Sequence, residues 1–454
     1  MYRTVLEQTV MIRRPLADCF RYLADFSTCE QWDPGVHSAR KETPGPVRVG
    51  SRFALQLSTP AGRRPMHYEM LALDPGHELR LLGEGEGLLA RDHLRFEALD
   101  EGSTRLRYRA ELEFTGLGQI AGRVAEPWLQ RLGRAAVSGL RQALEPEPPP
   151  PTAEATQPGW EGLLMLPTAW RFTERGYRSM PHRAHTRWLD GRTVVLTGPT
   201  GGIGLAAACE LARLGARLVL VGRGTARMEQ AAEKILDFAG SDPGIRLVEA
   251  DLSSAAEVRH ATDAILDLEP RIDVLINNAG ALSADLHRTA EGHERTLAVN
   301  LLAPYRLTLG LLPALERSGG RVINVSSGGQ YLQKLDPERL LASPSPHDGM
   351  RAYAEAKRAL VTLTRSWAQS HPRVAFHAMH PGWAATPGVA RSLPRFDRTL
   401  RPLLRDARMG ADTVVWLATA DPAWLGSGGF WFDRRPQPLD VLPATRVDAR
   451  DSQQ

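Results

Sequence analysis

Tyr353 and Lys357 stand four residues apart in Tyr353-Ala354-Glu355-Ala356-Lys357. On a helix that spacing puts both side chains on one face, with Cβ atoms about 5–6 Å apart. A phenol with a pKa of about 10 holds its proton too tightly to give and retake it near pH 7, and a neighbouring ammonium that stabilises the phenolate lowers that pKa. A fall of about three units corresponds to about 4 kcal/mol of differential stabilisation. The pair is a candidate acid/base for a reaction in which an oxygen gains or loses a proton. The residue choice adds weight, because of the 56 lysines and arginines only four, Lys41, Lys234, Lys334 and Lys357, are lysine.

A second run with chemistry in it is Thr197-Gly198-Pro199-Thr200-Gly201-Gly202-Ile203-Gly204. It follows a buried strand at Thr193–Leu196, opens a helix through Leu214 and is succeeded by a strand at Arg217–Val221. Strand, glycine turn and helix together bind a dinucleotide. Gly198, Gly202 and Gly204 let the backbone turn tightly and approach a pyrophosphate, which rests on the unpaired N–H groups and positive dipole end of the helix. Where a carboxylate would hold the ribose hydroxyls of NAD, this chain has Gly222-Arg223. A planar guanidinium there suits the 2′-phosphate of NADP. NAD stays open, because in an arginine-rich chain Arg223 also reads as a solvent-facing residue.

Further motifs follow in order: Asp251-Leu252 after a third strand, Asn277-Asn278-Ala279-Gly280 after a fourth, Asn300 within Val-Asn-Leu-Leu, and Ser326-Ser327 after the strand Val322–Val325. With the glycine turn and the Tyr353/Lys357 pair, this set resembles the short-chain dehydrogenase/reductase superfamily over about residues 188–435. The resemblance implies an NAD(P)-dependent oxidoreductase that interconverts an alcohol and its ketone or aldehyde. It implies that Asp251 contacts the adenine, that Asn278 steadies the strand beside the cofactor, and that Thr197, Ile203, Leu252, Ala279 and Gly280 complete the cofactor cleft. Asn300, Ser327, Tyr353 and Lys357 then form the catalytic tetrad, of which Tyr353 and Lys357 also contact the cofactor. In that tetrad Ser327 hydrogen-bonds the substrate oxygen as charge develops on it, and Asn300 holds a water linking Lys357 to solvent. Ser327 and Tyr353 are 26 positions apart, and the insert between them is similar to the retinol-dehydrogenase-like branch. By the same resemblance Pro381, Gly382 and Thr386 cover the nicotinamide, residues 390–406 form a substrate lid, and the protein is a homo-oligomer. Pro199 and Gly201 are unusual fillings of the glycine turn.

The elements that position these groups occupy the second part of the chain, where strands and helices alternate as in an α/β Rossmann domain with a doubly wound parallel sheet. The first part differs. A strand at Val5–Ile12 and a short helix from Pro15 precede about five strands, near 52–57, 67–73, 79–83, 92–98 and 104–114. Ile120, Val124, Trp128, Leu132, Ala136, Leu140 and Leu144 then recur every four residues, marking one long helix. This order, with the stretch Tyr22–Val36, resembles the SRPBCC or START-like superfamily, including polyketide cyclase-like and coenzyme-Q-binding-like proteins. That implies an α+β helix-grip fold over residues 1–145, holding an apolar ligand between helix and sheet. A filled core with a scaffolding role is the other reading. No nucleophile or acid–base pair stands out in this half, and His67, His77 and His93 read as surface or satisfied histidines.

Between the two domains, residues 146–187 comprise a proline-rich spacer and the apolar, aromatic lead-in Trp160–Tyr177. The spacer, Glu145–Pro158, is 14 residues long and semi-rigid. The lead-in either lies on a membrane surface or packs across a neighbouring domain or a dimer partner. Tethering would raise the concentration of a lipophilic ligand near the second site. A tail beginning at Arg434, with residues 436–454 beyond the second domain, is polar and is expected to fray.

Composition bounds the remaining choices. At 454 residues, 43% hydrophobic and 24% charged, the chain is globular. No unbroken apolar run approaches the ~18 residues of a membrane span, and the alternating amino terminus carries Glu7 where a signal peptide would be apolar. The expectation is a cytoplasmic protein. Cys19, Cys29 and Cys209 lack the spacing of a zinc site or a disulfide framework, so no metal is expected. A net charge of +4 without a basic, aromatic-interleaved tract argues against nucleic acid as a partner. Two other functions stay open: a nucleotide-sensing lipid-transfer protein without turnover, and a cyclase-like activity in the first domain.

Overall fold

A computed structural model describes residues 2–59, 62–116, 118–145, 169–180, 188–240, 242–342, 347–392 and 394–439. The chain divides into two compact units, with described residues 2–145 in the first and 169–180 with 188–439 in the second. The spacer, the front of the lead-in and residues 440–454 lie outside the described residues.

In the first unit seven described strands form one antiparallel sheet: β1 Tyr2–Ile12, β2 Val36–Lys41, β3 Arg52–Thr59, β4 Gly62–Asp74, β5 Glu78–Gly85, β6 Leu88–Asp100 and β7 Ser103–Phe114, in the order β1-β7-β6-β5-β4-β3-β2. β2 was not anticipated. Its sequence, VHSARK, is short and polar, and a bulge between Val36 and Ser38 breaks the alternation by which a strand is recognised. The other strands follow the expected alternation and run longer, up to 13 residues in β4 and β6. The helix Gly118–Leu144 packs beside β1 and the short helix Cys29–Trp32. At Gly139 the approach is so close that a Cβ would lie 2.1 Å from the Trp32 carbonyl oxygen. The expected stripe along this helix needs correction at Trp128, which is exposed while Leu129 is buried. Successive steps of four residues drift about 40° around a helix of 3.6 residues per turn, so the buried face runs through Leu129, Ala136, Leu140, Ala143 and Leu144.

In the second unit eight described strands form the other sheet: β8 Thr193–Thr197, β9 Arg217–Gly222, β10 Ile245–Glu249, β11 Val274–Asn277, β12 Arg321–Val325, β13 Ala375–Met379, β14 Gly429–Phe432 and β15 Arg435–Pro436. Their order is β10-β9-β8-β11-β12-β13-β14-β15, parallel except for β15. The order reverses between β8 and β11, and in such sheets the crevice at the carboxyl ends of those strands receives the ligand. Separate apolar clusters cover the two faces. One is built with helices Gly202–Arg213 and Ala407–Thr419, the other with Ala255–Leu268, Ala303–Ser318 and Gly349–Ser370. The run Arg295–Ser318 is apolar enough by length and composition to cross a bilayer, yet 61% of its apolar window is buried in this unit.

Two boundaries differ from expectation. Arg434, placed at the start of a fraying tail, pairs with Asp412 through Nε at 2.8 Å, and Gln437 N–H donates to the Phe430 carbonyl at 2.7 Å. An ion pair and a strand edge hold these polar residues. The described end of the lead-in, 169–180, packs on this same unit. The buried Arg405 guanidinium donates to the carbonyls of Arg171, Phe172 and Thr173, makes a bidentate pair with buried Asp433 at 2.6 and 2.9 Å, and lies 5.2 Å from the Tyr177 ring centroid.

Candidate active site

The glycine turn forms a backbone cradle. Gly198 and Gly202 have φ of +71° and +55°, and a Cβ on Gly204 would lie 2.1 Å from the Gly198 carbonyl oxygen. Only glycine permits that crossing. Gly201 precedes the helix Gly202–Arg213, and no side chain caps it, so its first N–H groups are directed at whatever lies before the helix. Asn278 ties the turn to the end of β11: Nδ2 donates to the carbonyls of Thr197 at 2.9 Å and Gly198 at 3.2 Å. Thr197 Oγ1 in turn accepts from the N–H groups of Asn278 and Ala279 at 3.0 and 2.9 Å. Ile203 turns its side chain toward Gly410 and leaves its backbone at the cradle. These groups fit a pyrophosphate, and with it a dinucleotide.

Thr386 Cβ lies 3.1 Å from where a Gly202 Cβ would be, so the segment after Pro381-Gly382 sits across the cradle. It is pinned from behind. Trp383 N–H donates to the Phe172 carbonyl at 2.9 Å, Arg405 N–H to Trp383 at 2.8 Å and Ala385 N–H to Arg405 at 2.8 Å. Gly382, at φ +75°, has no room for a Cβ beside the Arg405 guanidinium. His380 stacks on Phe432 at 4.1 Å, and burial drives its pKa down to about 3, so it is neutral.

At the far end of the cleft, half-exposed Arg223 donates to Asp251 Oδ2 at 3.2 Å. Burial would raise the Asp251 pKa, but hydrogen bonds from Ser253 and the Arg223 guanidinium outweigh it and hold the carboxyl below its ordinary value. Leu252 beside it is buried. Glu249, absent from the sequence reading, accepts from Gly224 N–H at 2.9 Å and from the Thr225 hydroxyl, at the start of the helix Thr225–Ala239. A carboxylate therefore shares the neighbourhood in which Arg223 was expected to receive a phosphate.

Tyr353 and Lys357 both lie on the helix Gly349–Ser370. Lys357 is 2% exposed, its Nζ stands 5.8 Å from the Tyr353 ring centroid and donates to the Val325 carbonyl at 2.7 Å. Burial lowers its pKa to about 7. The tyrosine departs from expectation. Burial raises its pKa, and a hydrogen bond with Ser327 offsets this only in part. The ammonium that was to lower it lies over the ring and spends a proton on Val325, while burial weakens its own charge.

The two adjacent serines part company. Ser326 is buried and donates to the Lys357 carbonyl at 3.2 Å, whereas half-buried Ser327 bonds with Tyr353 and accepts from Gly329 N–H at 3.3 Å. Asn300 lies in a π-helical turn, Ala298–Leu302, inserted ahead of the helix Ala303–Ser318. Such wide turns swing one side chain out of helical register. Its Nδ2 donates to the carbonyls of Ala281 at 2.6 Å and Thr296 at 2.7 Å. Its Oδ1 accepts from the Ala281 N–H at 3.3 Å and lies 3.0 Å, and Lys357 Nζ 3.7 Å, from the point a Gly280 Cβ would occupy. The structure thus brings Asn300, Gly280, Lys357, Tyr353 and Ser327 together, with Thr197, Gly198, Asn278 and Ala279 alongside.

The sequence reading missed what holds this cluster. Asn277 Nδ2 donates to Asn324 Oδ1 at 2.8 Å and Thr308 Oγ1 at 3.1 Å, and Asn324 Nδ2 donates to Thr364 Oγ1 at 2.9 Å. All four are buried, and together they lock β11, β12 and two helices below the site. The signal was an asparagine in the apolar strand VINV, since a buried polar side chain needs partners. In the first unit, where no acid–base group stood out, buried Asp92 accepts from the Tyr108 hydroxyl at 2.8 Å. The histidines there are satisfied at the surface, His93 by Glu78 at 2.7 Å and His67 by Glu42 at 3.4 Å.

Comparison with known proteins agrees with this geometry. Residues 192–395 match the family described as short chain dehydrogenase, and residues 3–145 match the family described as polyketide cyclase / dehydrase and lipid transport. Dehydrogenase/reductase SDR family member 12 from Homo sapiens is 40% identical over 281 residues, 60% of this chain and 88% of that protein. A protein from Streptomyces sp. (strain C5), named for its proposed daunorubicin C-13 ketoreductase activity, is 38% identical over 255 residues, 55% of this chain and 86% of that one. Among solved structures, L-sorbose reductase from Gluconobacter frateurii aligns at 22% identity and a TM-score of 0.47, covering 56% of this chain and 99% of that one. With a cradle built for a dinucleotide, a serine beside a half-buried tyrosine and a lysine one helical turn on, the chain belongs to the short-chain dehydrogenase/reductase family of NAD(P)-dependent oxidoreductases.

Proposed function

We propose that the chain is an NADP-preferring oxidoreductase that interconverts a hydrophobic alcohol and its ketone or aldehyde, and that its first unit holds a lipophilic ligand. The observation that carries the reading is that Tyr353 and Lys357 share one helical face, with Lys357 Nζ 5.8 Å from the Tyr353 ring centroid and Ser327 close enough to Tyr353 to lower its pKa. When bound, NADP(H) supplies or accepts the hydride. Tyr353 gives its proton to the substrate oxygen as that oxygen becomes an alkoxide, or takes it in the reverse direction. Ser327 donates to the same oxygen and steadies the charge as it develops. Lys357 and Asn300 Oδ1 stand behind the tyrosine as the route by which it is reprotonated. Two things support a hydrophobic substrate: the first unit's match to a family that includes lipid transport, and the ketoreductase name of the Streptomyces relative. The proline-rich spacer keeps both units on one chain.

Preference for NADP rests on Arg223, which stands directly after β9 where NAD-binding chains carry an acidic residue; a 2′-phosphate would draw it from Asp251, with Glu249 as the opposing charge nearby. Arg223→Ala is expected to raise KM for NADPH about tenfold, the scale of one lost charge-assisted hydrogen bond to phosphate, while leaving KM for NADH within about twofold. Steady-state oxidation of both cofactors with a panel of hydrophobic ketones measures this. Equal use of NADH by the wild type, or an equal loss with both cofactors, refutes the preference, and no turnover of any carbonyl refutes the proposed reaction.

A further inference from the structure

Residues 382–386, which lie across the glycine cradle, belong to no helix and make one isolated bridge, Ala384 with Arg405. Gly382 N–H donates to His380 Nδ1 at 3.3 Å, Trp383 N–H to the Phe172 carbonyl and Ala385 N–H to the Arg405 carbonyl. None of these three acceptors belongs to a strand of the parallel sheet. Phe172 also packs its ring here, with centroids 5.2 Å from His380, 5.8 Å from Trp383 and 5.1 Å from Phe432. A Cβ on Gly382 would come within 2.9 Å of the Phe172 carbonyl oxygen, so the two backbones meet at a distance only glycine permits. The segment over the cradle takes its position from Phe172 and Arg405.

Arg405 is held by the lead-in in its turn. Its guanidinium is 1% exposed, and every nitrogen is engaged: Nε by the carbonyls of Phe172 and Thr173, Nη1 by Asp433, and Nη2 by Arg171 and Asp433. The Phe432 ring centroid lies 4.7 Å from the same group. A buried guanidinium is costly unless its donors are answered, and most of the answers come from residues 171–173. Without them a buried cation would keep only Asp433. Phe172 precedes residues 192–395, the span matched to the short chain dehydrogenase family, and Arg405 and Asp433 follow it. Chain from both sides of that span is clasped onto a segment within it.

We infer that the lead-in is a positioning strap: residues 171–173 hold residues 382–386 over the cradle and thereby set how tightly the dinucleotide is kept. Phe172 and Arg405 are positioning residues, which act on the cofactor through the segment that carries Trp383 and Thr386. Thr386 is where that segment meets the cradle, its Cβ 3.1 Å from the point a Gly202 Cβ would occupy. The inference rests on the reading that NADP(H) lies in the cradle. Its physical form is a population. The apparent Kd is the intrinsic one divided by the fraction of molecules with the segment in place, so a strap that keeps this fraction near one strengthens binding without touching the ligand.

The test is a fluorescence titration of the full chain with NADPH, beside steady-state kinetics and thermal unfolding without cofactor. Phe172→Ala is expected to raise the Kd for NADPH about tenfold, as when the segment is in place a tenth of the time. KM for NADPH should rise with it, and kcat should fall by less than KM rises. Phe172→Leu, which refills most of the space, should recover most of the affinity. Arg405→Lys keeps a cation beside Asp433 but loses the planar fork. It should raise the same Kd, and it reads the inference if the alanine variant does not fold. A lower melting temperature with the Kd unchanged in whichever variant folds, or a loss carried by kcat alone, overturns the strap. If the wild type binds neither NADPH nor NADH, the reading of the cradle fails and the strap fails with it.

Discussion

Tyr353→Phe is expected to lower kcat by about 10³-fold or more, while the dissociation constant for the cofactor stays within about twofold. The substitution removes one oxygen from a half-buried ring and leaves the ring's packing in place. Tyr353 forms no part of the glycine cradle at Gly198–Gly204, so cofactor affinity has little reason to change. What is lost is the proton that must reach the substrate oxygen, about 4 kcal/mol of transition-state stabilisation for a 10³-fold effect. Ser327 loses its partner at the same time, but a serine with a pKa far above 7 cannot replace the phenol as proton donor. Single-turnover reduction followed at 340 nm, beside a fluorescence titration of the cofactor, makes the measurement. A phenylalanine variant that kept a tenth of the wild-type kcat would remove Tyr353 from the chemistry and leave the nucleotide-sensing reading in its place.

Lys357→Met is expected to act in opposite directions on activity and stability. Turnover should fall about 10³-fold, because the proposed route by which Tyr353 is reprotonated, through Lys357, is gone. The fold should become more stable at pH 7, because a nearly unexposed ammonium is replaced by an apolar chain of similar length. The pH dependence carries the sign. In the folded chain Lys357 has its pKa lowered by burial from 10.5 to about 7, so between those values the unfolded chain binds the extra proton. Wild-type stability should therefore rise with pH across that window, by at most about 1.4 kcal/mol per unit from this group. Below pH 7 both states hold the proton and the cost of burying the charge is felt in full. The methionine variant should lack this rise. Urea unfolding at pH 7 and pH 9 reads both effects, and parallel shifts in the two proteins would falsify the assignment of the slope to Lys357.

The two effects share one cause. The site keeps a cation where the fold would be better off without it, and Asp92 in the first unit is a second case of the same kind. In both places charge stands inside an apolar setting: Lys357, with buried Glu355 and Arg358 on either side, next to Ala356, Ala359 and Leu360 on its helix, and Asp92 between Ala90 and Leu94 on its strand. Lys357 was legible in advance because the motif around it is contiguous. Asp92 was not, because an aspartate in an alternating strand reads as an outward position until the sheet's facing is known. The register that pairs Leu94 with Tyr108 and Asp92 with Ala110 decides it.

The sequence alone determined whatever is local. Four residues on one helix place Tyr353 beside Lys357, and three glycines between a strand and a helix make a cradle, because backbone sterics and helical periodicity act over a few residues. The succession of strands and helices along the second unit, and most strands of the first, follow from hydrophobic pattern and turn chemistry for the same reason. The tertiary structure decided whatever depends on residues far apart in the chain. It chose Ser327 over Ser326 by turning one toward Tyr353 and the other into the Lys357 backbone. It placed Asn300 through an inserted π turn, gave Lys357 the Val325 carbonyl, and fastened the lead-in to the segment after Pro381-Gly382 through Arg405, more than 200 residues away. It also set the ionisation of the pair. Spacing says that a tyrosine and a lysine are neighbours, but desolvation by the surrounding core says how much charge each can carry, and that is a property of the packed interior.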